Sequence, residues 1–177
     1  MKELPKRYME DWEAHKADRG SDRAIVIRKE LEKLSLLFQY EPLSSDVESG
    51  FIPDFHKKVG ELKLDYVVLH EGKRIALLDV TASNYTLKGS RVMPVAEYKG
   101  TIIKASNTPA FILFEMEKEA SPVSERCVWI HGKDVIKHKP QFDDTWEKPA
   151  HNYHTDKNDW HRGLKSLIEE FMKLIKP

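Results

Sequence analysis

The sequence predicts a single α/β domain spanning residues 1–177, and three observations predict it. A helical stripe of apolar residues lies near the start, short apolar strands follow in the middle, and an amphipathic helix closes the chain. A length of 177 residues suits one domain with a substantial core. The 40% hydrophobic content offers enough apolar surface to offset the entropy of folding, so extended disorder is not expected.

Charge and cysteine usage narrow the function classes. Lys and Arg total 29 and Asp and Glu total 29, a formal net charge of zero, which excludes a basic coat but allows a local basic groove beside an acidic site. Cys127 is the one cysteine, so no internal disulfide and no multi-thiolate zinc site can form. A reducing, cytoplasmic setting is expected. The opening MKELPKRYMEDWEAHK has no apolar run, and no stretch has the 18 or so apolar residues of a membrane span, so neither secretion nor membrane insertion is expected.

Taken in order, residues 1–20 read as a polar arm or short helix with Tyr8 and Trp12 as anchors. Ser21 suits an N-cap and Asp22 favours the positive helix end. Ile27, Leu31, Leu34 and Phe38 then recur at spacings of four, three and four, predicting an amphipathic helix of about 17 residues. Glu30 sits beside that stripe, where it either meets a site at the core's edge or serves as an ordinary solvated acid. Pro42 and Ser44–Gly50 read as a loop.

LDYVVL (64–69) and IALLDVT (75–81) read as a hairpin joined through HEGKR (70–74), the second strand apolar on both faces like a buried strand of an α/β sheet. PVAEYKGTIIKA (94–105) reads as a helix despite Gly100, with Pro94 in its first turn. PAFILFEM (109–116) and CVWI (127–130) read as further strands. Residues 137–158 read as a long polar loop, and a helix from about 158 to 173 turns Leu164, Leu167, Ile168 and Phe171 inward.

The chemistry-bearing feature is a pair of aspartates in the hairpin. Alternation places Asp79 and Thr81 on the same side as Ile75 and Leu77. A loop centred on Gly72 sets Asp65 opposite Asp79, with Cβ atoms about 4.5–5.5 Å apart. A two-residue turn at Glu71-Gly72 shifts the pairing by one and puts the two acids on opposite faces. In the first register the carboxylates repel and resist desolvation unless a cation joins them. Mg²⁺ suits such hard oxygen ligands, and Mn²⁺ is an alternative. The ordinary counter-reading is a pair of structural aspartates in salt bridges or loop caps.

LDYVVLHEGKRIALLDVTAS (64–83), with a helix before it and a helix and strand after it, resembles the PD-(D/E)XK superfamily of restriction-endonuclease-like and Holliday-junction-resolvase-like nucleases. The resemblance covers about half the chain. It implies a restriction-endonuclease-like α/β fold, a central mixed sheet flanked by helices, and Mg²⁺-dependent hydrolysis of DNA. On that pattern Asp65 and Asp79 are the two strand acids and metal ligands, and Glu30 is the matching helix acid and third ligand. The pattern's lysine, two residues after the second acid, is replaced by Thr81. Lys99 of the following helix is the substitute, with Lys88 as an alternate. Pro53-Asp54 in FIPDF offers a second placement of the opening motif, with Asp54 in place of Asp65.

Two rival functions remain open: a catalytically silent nuclease-like domain acting in nucleic-acid binding or assembly, and a metal-dependent enzyme on a small substrate. A homodimer is an expectation from the symmetry of duplex DNA. The histidines form no recognisable zinc pattern, no glycine motif for phosphates is present, and Cys127 in an apolar strand reads as a buried structural thiol.

Overall fold

A computed structural model describes residues 21–42, 64–82, 86–87, 90–91, 93–115, 121–143 and 150–177. The predicted arm over 1–20, the loop 44–50 and the alternate residues Asp54 and Lys88 lie outside the described residues.

Helix α1 (Ser21–Leu34) buries Ala24, Ile27 and Leu31 and ends earlier than the apolar spacing predicts. Phe38 is buried in the same core from beyond the helix, so its fit to the helical period reflects a shared destination and not a shared element. Strand β1 (Gln39–Pro42) occupies a stretch the sequence reading assigned to loop at Pro42. It is the edge strand of the main sheet, where a residue without an N–H is tolerated.

Strands β2 (Tyr66–His70) and β3 (Lys73–Ala82) form the hairpin. Glu71 (φ 49°) and Gly72 (φ 73°) are both left-handed, the mark of a two-residue turn that follows the strands' twist. That turn pairs His70 with Lys73 and Leu69 with Arg74; a register shift at Val68/Leu69 then pairs Val68 with Ala76 and Tyr66 with Leu78. Both registers open to the sequence are therefore present. The short turn governs the tip, and a bulge absorbing Ile75 restores the Gly72-centred register toward Asp79.

After β4 (Thr86–Leu87) and β5 (Ser90–Arg91), residues 94–105 depart from prediction. They begin as strand β6 (Pro94–Ala96) and become helix α2 only from Glu97 to Ala105, so Pro94 is a strand residue and not a helix opener. Helix α2 carries the chain across to β7 (Ala110–Glu115), which pairs parallel with β3, as a helical crossover allows. Helix α3 (Val123–Arg126), β8 (Cys127–His131) and α4 (Gly132–Val135) follow.

The expected 137–158 loop instead contains β9 (Gln141–Asp143) and β10 (Ala150–His154), which join β6 in a second sheet of order β6-β10-β9. Scattered polar residues hid them, because each strand is short and β10 buries Asn152 and Tyr153 between the exposed His151 and the half-buried His154. The last helix starts later than predicted. A 3₁₀ turn (Lys157–Asp159) and β11 (His161–Arg162) precede α5 (Leu164–Ile175).

The main sheet has order β1-β2-β3-β7-β8-β11 and is mixed: β3 and β7 are parallel, and the other neighbours are antiparallel. Its two faces bury different partners. On one, Tyr66, Val68, Leu78, Val80, Phe111 and Trp129 meet α1 and α5, with Phe171 edge-on to Phe38 and Phe111. On the other, Val67, Leu77, Ile112, Phe114 and Ile130 meet Ile102 and Ile103 of α2 and Tyr153 of β10. Cys127 is buried on the first face; burial, helped by the Glu115 carboxylate, pushes its thiol up to about 12, so it stays protonated and inert. Among the described residues no helix is long and apolar enough to cross a membrane.

Two contacts fix the helices on the sheet. Glu115, at the end of β7, accepts from Arg23 Nε of α1 at 2.8 Å and from Arg126 Nε of α3 at 3.1 Å. Gly100 lets α2 lie against Tyr153, whose ring occupies the space a Cβ at position 100 would need; the Tyr153 Cζ atom would be only 2.7 Å from it. Tyr153 Oη accepts from Lys104 Nζ at 2.9 Å, one turn further along the same helix. In an unconstrained helix Gly→Ala gains about 1 kcal/mol. Here overpacking reverses the sign: Gly100→Ala is expected to lower unfolding stability by about 1–2 kcal/mol in urea titration, and a gain would contradict the close packing of α2 on β10.

Candidate functional site

The site is built from positions 79 and 81 of β3 and position 99 of α2. Asp79 follows Leu77 on the face that receives α2, since strand residues two apart share a face. Lys99 lies in the first turn of α2, three and four residues before Ile102 and Ile103, so the residues that dock the helix also aim the lysine at the sheet. Its Nζ donates to Asp79 Oδ2 at 2.6 Å and to Thr81 Oγ1 at 2.9 Å. The Thr81 hydroxyl in turn donates to the same Asp79 Oδ2 at 2.7 Å. Asp79 is 2% exposed and the Lys99 side chain 13%.

Asp65 joins from β2's side. It sits at a bend just before Tyr66, not within the strand as the sequence reading had it. Extending the Tyr66–Leu78 pairing by one brings it alongside Asp79, and its Oδ2 accepts the Val80 backbone N–H at 2.7 Å. The carboxylate thus caps the ladder where β2 begins. Its charge also reaches Lys99.

Burial alone would push the Lys99 ammonium toward neutrality. The Asp79 carboxylate, then Tyr98 and Asp65, and the hydrogen bond to Asp79 together outweigh it and hold Lys99 above the ordinary lysine range. The amine is therefore a fixed positive charge between acids, with the Tyr98 ring 6.0 Å away. A buried acid and amine in this geometry can neutralise each other structurally, or can bring charge to an anionic ligand.

The other predicted residues are placed differently. Glu30 accepts from Lys33 Nζ at 2.6 Å on a helix that packs against the opposite face of the sheet from α2. The structure thus brings together Asp65, Asp79, Thr81 and Lys99, and does not bring Glu30 to them. Among the described residues, no group of three or more His, Cys, Asp or Glu is arranged to hold a metal ion. A cavity of about 390 Å³ lies at the start of β7, away from Asp79, where His131 Nε2 is 3.4 Å from Glu170. Sequence reasoning missed that pair, and it missed Tyr153 as the support for α2. Only the glycine inside a helical pattern signalled the latter.

Compared with family models, curated proteins and solved structures, the chain matches none. What the site does must be argued from its own residues.

Removing the ammonium leaves Asp79 buried without its cation, so Lys99→Met is expected to cost about 3–5 kcal/mol in urea titration. A lysine held above its unfolded value stabilises the fold fully below that value, about 10.4, and the contribution fades as pH climbs through the folded value. The gap between the natural chain and Lys99→Met is therefore expected to stay level from about pH 7 to about 9 and to narrow only at higher pH. A gap below about 1 kcal/mol at neutral pH would place the pair among weak surface bridges instead.

Proposed function

We propose that the chain is a metal-dependent nuclease of the PD-(D/E)XK kind that hydrolyses phosphodiester bonds in DNA. One observation carries this reading: Lys99 reaches Asp79 from the following helix while Asp65, at the bend that opens the neighbouring strand, caps the backbone beside Asp79. That is the acid, acid and lysine set the resemblance calls for, with the amine supplied from α2 because position 81 is threonine. The order of helix, hairpin, crossover helix and parallel strand around it supports the same reading.

The donor set bears on the metal. Two carboxylates at the same end of the β2–β3 ladder offer the hard oxygens that Mg²⁺ or Mn²⁺ accepts alongside water and phosphate. Asp65 and Asp79 would hold the ion, and a bound ion would polarise the phosphate and lower the pKa of an attacking water. The chain's own residues supply the rest. Lys99 offsets negative charge on the phosphate in a site shielded from bulk water, where a fixed cation acts most strongly. Asp79 keeps that cation in place, and the Val80 N–H keeps the Asp65 carboxylate turned toward β3. No covalent intermediate is required.

A second reading has its own support. Asp79 Oδ2 already receives two donors, and no third described acid joins the pair. A silent nuclease-like domain that binds nucleic acid or assembles without cutting would keep this arrangement as a buried ion pair.

Purified full-length protein tested on single-stranded, duplex and branched DNA with Mg²⁺ or Mn²⁺ separates the two. The nuclease reading expects cation-dependent cleavage, reduced by about 10²-fold or more in Asp79→Asn and in Lys99→Gln. Binding without cleavage in either metal would favour the silent domain. Cleavage that survives Asp79→Asn would assign the activity elsewhere.

A further inference from the structure

We propose that Thr81 is a positioning residue: its hydroxyl fixes the roll of the Lys99 ammonium so that the remaining N–H is presented to a non-bridging oxygen of a phosphodiester. This rests on the nuclease reading and deepens it by naming what the lysine faces.

An ammonium has three N–H bonds. Lys99 uses one on Asp79 Oδ2 at 2.6 Å and one on Thr81 Oγ1 at 2.9 Å, and no third acceptor appears among the described residues. The Thr81 hydrogen is committed to Asp79 at 2.7 Å, so its oxygen can only accept from the lysine. Asp79, Thr81 and Lys99 therefore close a ring of three hydrogen bonds in which every proton has one place. An ammonium held at a single point turns freely about its Cε–Nζ bond; held at two, it has one direction left for its third hydrogen.

Both anchors belong to one rigid support. Positions 79 and 81 lie on the same face of β3, which pairs with β7 along Asp79–Ile112 and Thr81–Phe114. A β-branched side chain is stiff about χ1, so the hydroxyl is aimed by the backbone itself. Valine has the same shape and lacks only the hydroxyl, which makes the chemistry separable from the packing. The Lys99 side chain is 13% exposed and so not wholly covered, and a compact ammonium is a suitable partner for one phosphate oxygen.

The experiment compares the natural full-length chain with Thr81→Val and Thr81→Ser, each checked for folding by thermal melt, with Thr81→Ala replacing the valine variant if that one unfolds. One arm measures steady-state cleavage of DNA in Mg²⁺. Thr81→Val is expected to lower kcat by about 10²-fold, the order that a misplaced catalytic group costs, with KM within about threefold. Thr81→Ser is expected to recover most of the loss. The other arm needs no cleavage: reductive methylation of Lys99 by formaldehyde and cyanoborohydride, read by peptide mass spectrometry against the exposed Lys139. Loss of one hydrogen bond is expected to raise Lys99 labelling about fivefold in Thr81→Val and not in Thr81→Ser.

A folded Thr81→Val with unchanged kcat and unchanged labelling overturns the proposal. A fall in kcat that Thr81→Ser does not recover overturns it as well, since packing would then explain the loss. Raised labelling in a protein whose natural form cuts no DNA upholds the positioning and brings down the nuclease reading alone.

Discussion

A carboxylate that is 2% exposed must be given a cation, and the region around Asp79 is organised by that requirement. Burying a lone charge is so unfavourable that a group of this kind is found paired or neutralised. Lys99 meets the demand from a helix twenty residues further on, and Thr81 completes the hydrogen bonding from the same strand. The pair therefore ties α2 to the centre of the main sheet by charge as well as by the packing of Ile102 and Ile103.

That tie depends on features distant from it in sequence. Helix α2 can approach β10 only because position 100 has no side chain, and Tyr153 fills the space left open. The neighbouring residue is Lys99. A shift of the helix to relieve a larger residue at 100 would move the ammonium directly, so the small β6-β10-β9 sheet acts as a backstop for the site. On the opposite face, the Arg23–Glu115–Arg126 contacts bind α1 and α3 to the end of β7, the strand paired with the site's own.

Much of this was legible in the residues, for reasons that differ by element. The hairpin strands and β7 stand out because buried strands of a mixed sheet are nearly continuous apolar runs, and α5 stands out because one face alone is apolar. The pairing of Asp65 with Asp79 was legible only as one of two registers; the bulge at Val68/Leu69, which lets both coexist, has no side-chain signature. Residues 94–96 read as helix because Pro94 suits a first turn, yet β10 offers them a strand partner nearly sixty residues away. β9 and β10 went unseen because polar residues such as Gln141, His151 and Asn152 carry no alternating apolar pattern, and the pairing that makes them strands is long-range. Glu30 fitted the position of a helix acid in the resemblance, but proximity to an apolar stripe says nothing about which face of the sheet the helix will cover.

The strand offers threonine at 81, and the helix in return brings Lys99 to that hydroxyl and to the Asp79 carboxylate. The strength of that return is measurable without assuming any activity. A double-mutant cycle of Asp79→Asn and Lys99→Met in urea denaturation isolates the interaction between the two side chains. A coupling of about 2–3 kcal/mol is expected, with the double variant more stable than the sum of the single losses allows. Losses that simply add would show that Asp79 and Lys99 do not depend on each other, and would contradict the charge pairing on which the site is built.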